Sequence, residues 1–239
     1  MWEELIINIL VFVGTVAAGI SGAFVAIKAK RDLFGVVCVG CVTAVGGGIL
    51  RDMMVGRTPP AIFSSLYLLL IAAVTSVVVF VIAYIASKRF ELIRKKVEQV
   101  NNVFDAVGLA AFTVVGVDVA FTTGTVFHNP VLSVLLGLLT GVGGGIFRDI
   151  LTATTPYIFK KHIYAIACLG GAILYYILRY FTGNTLIAAI VCMSFIITIR
   201  MLATKFRWEV PKVHLVEEEK PLPTVKEPLQ EMTEDKKSA

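Results

Sequence analysis

Seven long apolar runs constrain this 239-residue chain more than any other feature. They cover residues 5–27, 33–50, 61–86, 103–123, 130–150, 162–181 and 184–202. A hydrocarbon core of about 30 Å takes about 20 residues of α-helix to cross. No water reaches a backbone amide there, so each span has to satisfy its own hydrogen bonds. A β-barrel would alternate over segments of about ten residues, and this sequence does not alternate. The expected fold is an all-α integral membrane protein with seven transmembrane helices. Composition agrees: only 16% of residues are charged, against roughly 25% in soluble domains. No amphipathic period offers the polar face of a water-soluble bundle.

Flanking lysines and arginines set orientation, because they stay cytoplasmic. With the N-terminus outside, Lys28, Lys30, Arg31, Lys160, Lys161, Lys205, Arg207 and Lys212 fall inside. The loop cluster Lys88, Arg89, Arg94, Lys95 and Lys96 joins them, while Arg57 and Arg179 fall outside. The sequence therefore predicts an outside N-terminus and a cytoplasmic C-terminus. Glu3 and Glu4 precede the first run, where a signal peptide would carry positive charge, so that run reads as a retained helix. The loop cluster either attracts anionic lipid headgroups or serves only as the orientation signal. Residues 205–239 mix Glu and Lys with Pro211, Pro221, Pro223 and Pro228. Such a composition buries no core, and a disordered cytoplasmic tail is expected.

An internal repeat organises residues 1–204. Residues 36–60 and 133–157 share 12 of 25 positions at an offset of 97, including GGGIxRD followed by Thr-Pro. A weaker match at an offset of 94 relates Gly14 and Gly22 to Gly108 and Gly116. Each repeat then holds three helices, 1–86 and 100–182, with a seventh helix over 184–202. Three is odd, so the second copy enters the bilayer from the other face. That is an inverted repeat, an arrangement whose sites tend to lie near the midplane where discontinuous helices meet.

The repeated segment holds the candidate site. Gly46, Gly47 and Gly48, with Gly143, Gly144 and Gly145, cost about 2–3 kcal/mol of helix propensity per triplet. Helices two and five are expected to kink or break there and to expose carbonyls to an ion path. The competing reading is close packing along Gly40–Ala44–Gly48 and Gly137–Gly141–Gly145, which are small-xxx-small stripes. Thr43 and Thr140 could offer hydroxyls to the path, although a helical threonine more often bonds back to its own helix. Arg51, Asp52, Arg148 and Asp149 carry charge into the spans, where ionisable groups usually face an interior. Sequence neighbours point about 100° apart on a helix, so pairing with helix four is expected instead: Arg51 with Asp118 and Arg148 with Asp105. Helix-end contact with headgroups is the plainer alternative.

Cys38-x2-Cys41 lies in an apolar span, Cys168 and Cys192 are isolated, and His128, His162 and His214 lack ligand spacing. Structural zinc takes four ligands, so no metal site and no cofactor is expected. No catalytic motif is present, and neither catalysis nor nucleic-acid binding is expected.

The doubled GGGIxRD with its Thr-Pro, within three spans plus inverted three plus one, resembles the prokaryotic branch of the TRIC family (trimeric intracellular cation channels). The resemblance covers residues 1 to about 204. Related bacterial sequences have also been described as glycine-transporter-like. The resemblance implies a homotrimer in the prokaryotic plasma membrane, with one ion path per protomer and kinks at both triplets. It implies passage of monovalent cations, chiefly K+ and also Na+, with membrane lipids as partners. A secondary transporter of a small solute such as an amino acid is the alternative, since inverted repeats serve that mechanism too.

Overall fold

The computed structural model describes residues 2–64, 66–86, 94–122, 129–156, 163–206 and 208, with residues 94–96 as backbone only. The side chains of Lys88, Arg89, Arg94, Lys95 and Lys96, and the tail from 209 to 239, lie outside the described residues.

Seven helices are present among them. They are α1 (Trp2–Lys28), α2 (Leu33–Met54), α3 (Tyr67–Ile85), α4 (Arg94–Thr122), α5 (Pro130–Leu151), α6 (Ile163–Thr182) and α7 (Thr185–Phe206). All seven are long and apolar enough to cross a membrane. A short 3-10 turn, Ala61–Phe63, precedes α3.

The helix ends follow local chemistry. The Asp32 carboxylate accepts from Gly35 N (2.8 Å) at the start of α2. Asn129, its counterpart at the 97-residue offset, accepts from Leu132 N (3.0 Å) at the start of α5. Such caps satisfy amides that have no partner inside the helix. At the other ends, Gly56 and its counterpart Ala153 both take positive φ (72° and 55°). The next amides, of Arg57 and Thr154, then fold back onto the carbonyls of Asp52 (2.8 Å) and Asp149 (2.9 Å).

α4 is the central helix: 72% of its most apolar stretch is buried, against 22% for α3. The outer surface is apolar, with Phe34 77%, Phe181 79% and Val131 75% exposed. Such a surface suits lipid and not water. α1 packs on α4, and α2 packs on α5. Within the halves, α1, α2 and α3 touch one another, as do α4, α5 and α6. α7 lies mainly on α6 and α4.

Both glycine triplets lie inside unbroken helices. The break expected at these positions is corrected: the helices stay continuous, and the glycines let them cross closely. A Cβ on Gly47 would run into the carbonyl oxygen of Thr140, and one on Gly144 into that of Thr43. The flanking glycines repeat the exchange. Gly46 lies under the Phe147 ring (2.7 Å from the Cβ position) and Gly143 under the Leu50 side chain (3.0 Å). Each contact in one direction thus has its counterpart in the other. Similarly, Gly22 admits Thr43 Oγ1 (2.6 Å), and Gly116 admits Thr140 Oγ1 (2.5 Å). Only the third glycines differ: Gly48 meets nothing closer than an Arg51 nitrogen at 3.8 Å, and Gly145 faces the Tyr164 hydroxyl at 3.0 Å.

Candidate functional site

The charged groups of the repeated segments occupy the ends of α2 and α5, just beyond the crossing. Arg148 is fully buried. Its Nη1 donates to Asp105 Oδ1 (2.6 Å) and to Ser21 Oγ (2.7 Å), and its Nε to Asp149 Oδ1 (2.8 Å). The other Asp105 oxygen, Oδ2, accepts from Arg200 Nη2 (2.9 Å). The Arg200 guanidinium also sits over the Tyr164 ring, 4.4 Å from its centroid. Two guanidiniums and two carboxylates therefore neutralise one another inside the protein, as buried charges require.

The Arg148–Asp105 contact is the one expected from sequence. The Arg51–Asp118 contact is not made. Arg51 turns to its neighbour Asp52 (Nε–Oδ1 2.9 Å, Nη2–Oδ1 2.8 Å). Asp52 Oδ2 accepts from Ala61 N (2.9 Å). Adjacent arginine and aspartate do pair, in both repeats, because the long arginine side chain wraps around the helix to its neighbour. Asp118 is taken by other partners: Tyr175 Oη donates to it (2.7 Å), and Arg179 Nε lies at 3.7 Å. Arg179 also reaches Glu3 of α1 (2.9 Å) and the carbonyl of Gly183.

A cavity of about 20 Å³ lies beside the crossing, bounded by Ser21, Thr43, Asp105, Gly141, Gly145 and Tyr164 among others. It holds roughly one water-sized particle. Its polar lining consists of hydroxyls and one carboxylate, which suits a cation more than an anion. Thr43 and Thr140 both bond back to their own helices, to Val39 O and Leu136 O (2.6 Å each). Of the two, Thr43 borders the cavity. Among the described residues no cluster of potential metal ligands occurs. All four cysteines are free.

Sequence reasoning missed Ser21, Tyr164, Tyr175, Arg179 and Arg200 as partners in these clusters. Arg200 was the most legible of them, since a lone arginine inside an apolar run is itself a signal.

Seven apolar helices around a closely crossed, charge-balanced centre define an integral membrane protein with the fold of TRIC cation channels. A TRIC channel structure solved to explain conductance superposes with a TM-score of 0.74 at 31% identity, covering 88% of this chain and 98% of that one. A prokaryotic TRIC channel crystallised in 0.5 M KCl superposes at 0.76 with 28% identity, covering 87% and 100%. The chain belongs to the glycine transporter family, which matches residues 8–84 and again 102–180. Similar relatives include the UPF0126 inner membrane protein YadS of Escherichia coli K12, 36% identical over 83% of this chain and 90% of that protein. The UPF0126 membrane protein YvgT of Bacillus subtilis 168 is 33% identical over 88% and 95%.

Proposed function

We propose that this protein is a homotrimeric, potassium-permeable channel for monovalent cations, with one path in each protomer beside the α2–α5 crossing. The observation that carries the reading is the likeness to solved TRIC cation channels over nearly their whole length. The geometry supports it. The crossing is flanked by a cavity whose polar groups are Ser21, Thr43, Asp105 and Tyr164. Arginine beside a cation path would repel its cargo. Here Arg148 is balanced by Asp105 and Asp149, and Arg51 by Asp52. The reciprocal glycine contacts support two three-helix repeats, 1–86 and 100–182, of inverted topology. In this conformation the cavity holds about one water, so the reading calls for a wider conducting state.

Purified protein in planar bilayers should give unitary K+ currents, and cross-linking should stop at three copies. The family's description as glycine transporters favours one other reading, a carrier for a small amino acid. Saturable, counterflow-competent glycine uptake without unitary steps would select the carrier and contradict the channel.

A further inference from the structure

The seventh helix has no counterpart in the repeat, and it delivers one charged side chain to the centre. Arg200 is 2% exposed. Its Nη2 holds Asp105 Oδ2 at 2.9 Å, and the Tyr164 ring lies beneath its guanidinium. Arg148 and Ser21 already hold the other oxygen, Oδ1, at 2.6 and 3.3 Å. Asp105 and Tyr164 both border the cavity. The carboxylate that a passing cation would meet therefore has both oxygens engaged by guanidinium groups. The first repeat has no such arrangement. The position matching Asp105 at the 94-residue offset is Val11, and among the described residues Arg51 pairs with Asp52.

We infer that Arg200 is a specificity-determining positioning residue: a tethered cation that occupies Asp105 and sets how strongly the path discriminates cations from anions. The inference deepens the channel reading and rests on it. Among the described residues Arg148 pairs with Asp149 and Arg200 with Asp105, so a substitution at Arg200 or Asp105 changes the local charge by one. Removing Arg200 leaves one negative charge on a carboxylate oxygen at the cavity wall. Removing Asp105 leaves one positive charge. Removing both restores balance without restoring any contact, which separates a charge effect from a structural one.

The test is the K+/Cl− permeability ratio from reversal potentials in a KCl gradient, for wild type, R200Q, R200K, D105N and the double variant. R200Q should raise the ratio by about tenfold, the low end of what unbalanced charge does to local counter-ion concentration. D105N should lower it, R200K should hold it, and D105N/R200Q should return it toward wild type. A folded R200Q with the wild-type ratio, or R200K behaving like R200Q, would overturn the inference. Should R200Q fail to fold, the comparison of D105N with the double variant decides, because no buried charge is stranded in the latter. A double variant that also fails to fold counts against the inference. A second readout does not need current: the unfolding midpoint of R200Q should rise in KCl relative to N-methylglucamine chloride, while that of wild type should not. A current-free wild type with this K+ effect in R200Q would sink the channel reading, and the selectivity role with it, and leave only Arg200 as the group that keeps a cation off Asp105. Its absence in R200Q would sink the assignment.

Discussion

Arg51 and Arg148 hold equal places in the two GGGIxRD segments but sit in unequal surroundings. Among the described residues Arg148 is enclosed and serves two buried carboxylates, while Arg51 keeps 12% of its side chain exposed and serves one. Arg148→Ala strips a guanidinium from two buried carboxylates, and breaking such a pair costs about 3–5 kcal/mol. Arg51→Ala removes charge-assisted contacts to a single carboxylate, about 1.5–3 kcal/mol. Denaturation of the two purified variants in detergent should show that order; equal losses would contradict the asymmetry. The sequence pointed to an interior use of these charges, beside the alternative of headgroup contact, because the membrane makes a lipid-facing charge expensive. It did not reveal azimuth. Asp118 and Arg51 share a leaflet by residue count, but Tyr175 occupies the Asp118 carboxylate.

For the helices, the triplets divide into positions with different tasks. Gly47 and Gly144 sit where a side chain would strike the backbone of the partner helix, whereas a Cβ on Gly48 would meet nothing closer than an Arg51 nitrogen at 3.8 Å. Gly47→Ala or Gly144→Ala should therefore destabilise the protein by about 1–3 kcal/mol or more through overpacking. Gly48→Ala should be neutral, or stabilising by about 0.5–1 kcal/mol through helix propensity. Thermal unfolding of the three variants reads the difference, and a destabilising Gly48→Ala would refute the division. Ala153 offers a related test, since it takes positive φ where its counterpart is Gly56. Ala153→Gly should raise the unfolding midpoint, because an L side chain in that region costs about 1–2 kcal/mol. The number and rough bounds of the helices were legible from hydropathy alone. The reading of the triplets as breaks was not upheld, because propensity is a local cost. Two glycine stripes exchanging contacts form a tertiary gain that no single helix displays. The start of α4 at Arg94 was also out of reach of hydropathy, since its first turn is basic.

At the scale of the molecule, two three-helix halves share α1–α4 and α2–α5 contacts, and α7 breaks their likeness. Lys28 pairs with Glu98 (2.5 Å) at one end of the bundle, and Glu3 with Arg179 at the other. Charge bias predicts that the Lys28 end faces the cytoplasm. Reporter fusions at the two termini should accordingly report opposite sides of the membrane; a shared side would exclude seven crossings. The repeat announced itself in sequence because close crossing and charge burial tolerate few residue types. The contribution of α7 was legible only as a lone arginine in an apolar run; its partner, Asp105, lies 95 residues away and emerges only from the packing.

The claim on which the account rests is passive passage of cations through the single chain's own helices. Its most direct test is the reversal potential of single channels from purified protein in asymmetric KCl. The account predicts unitary currents reversing toward the K+ equilibrium potential. Currents reversing toward the Cl− potential, or none from folded oligomers, would contradict it.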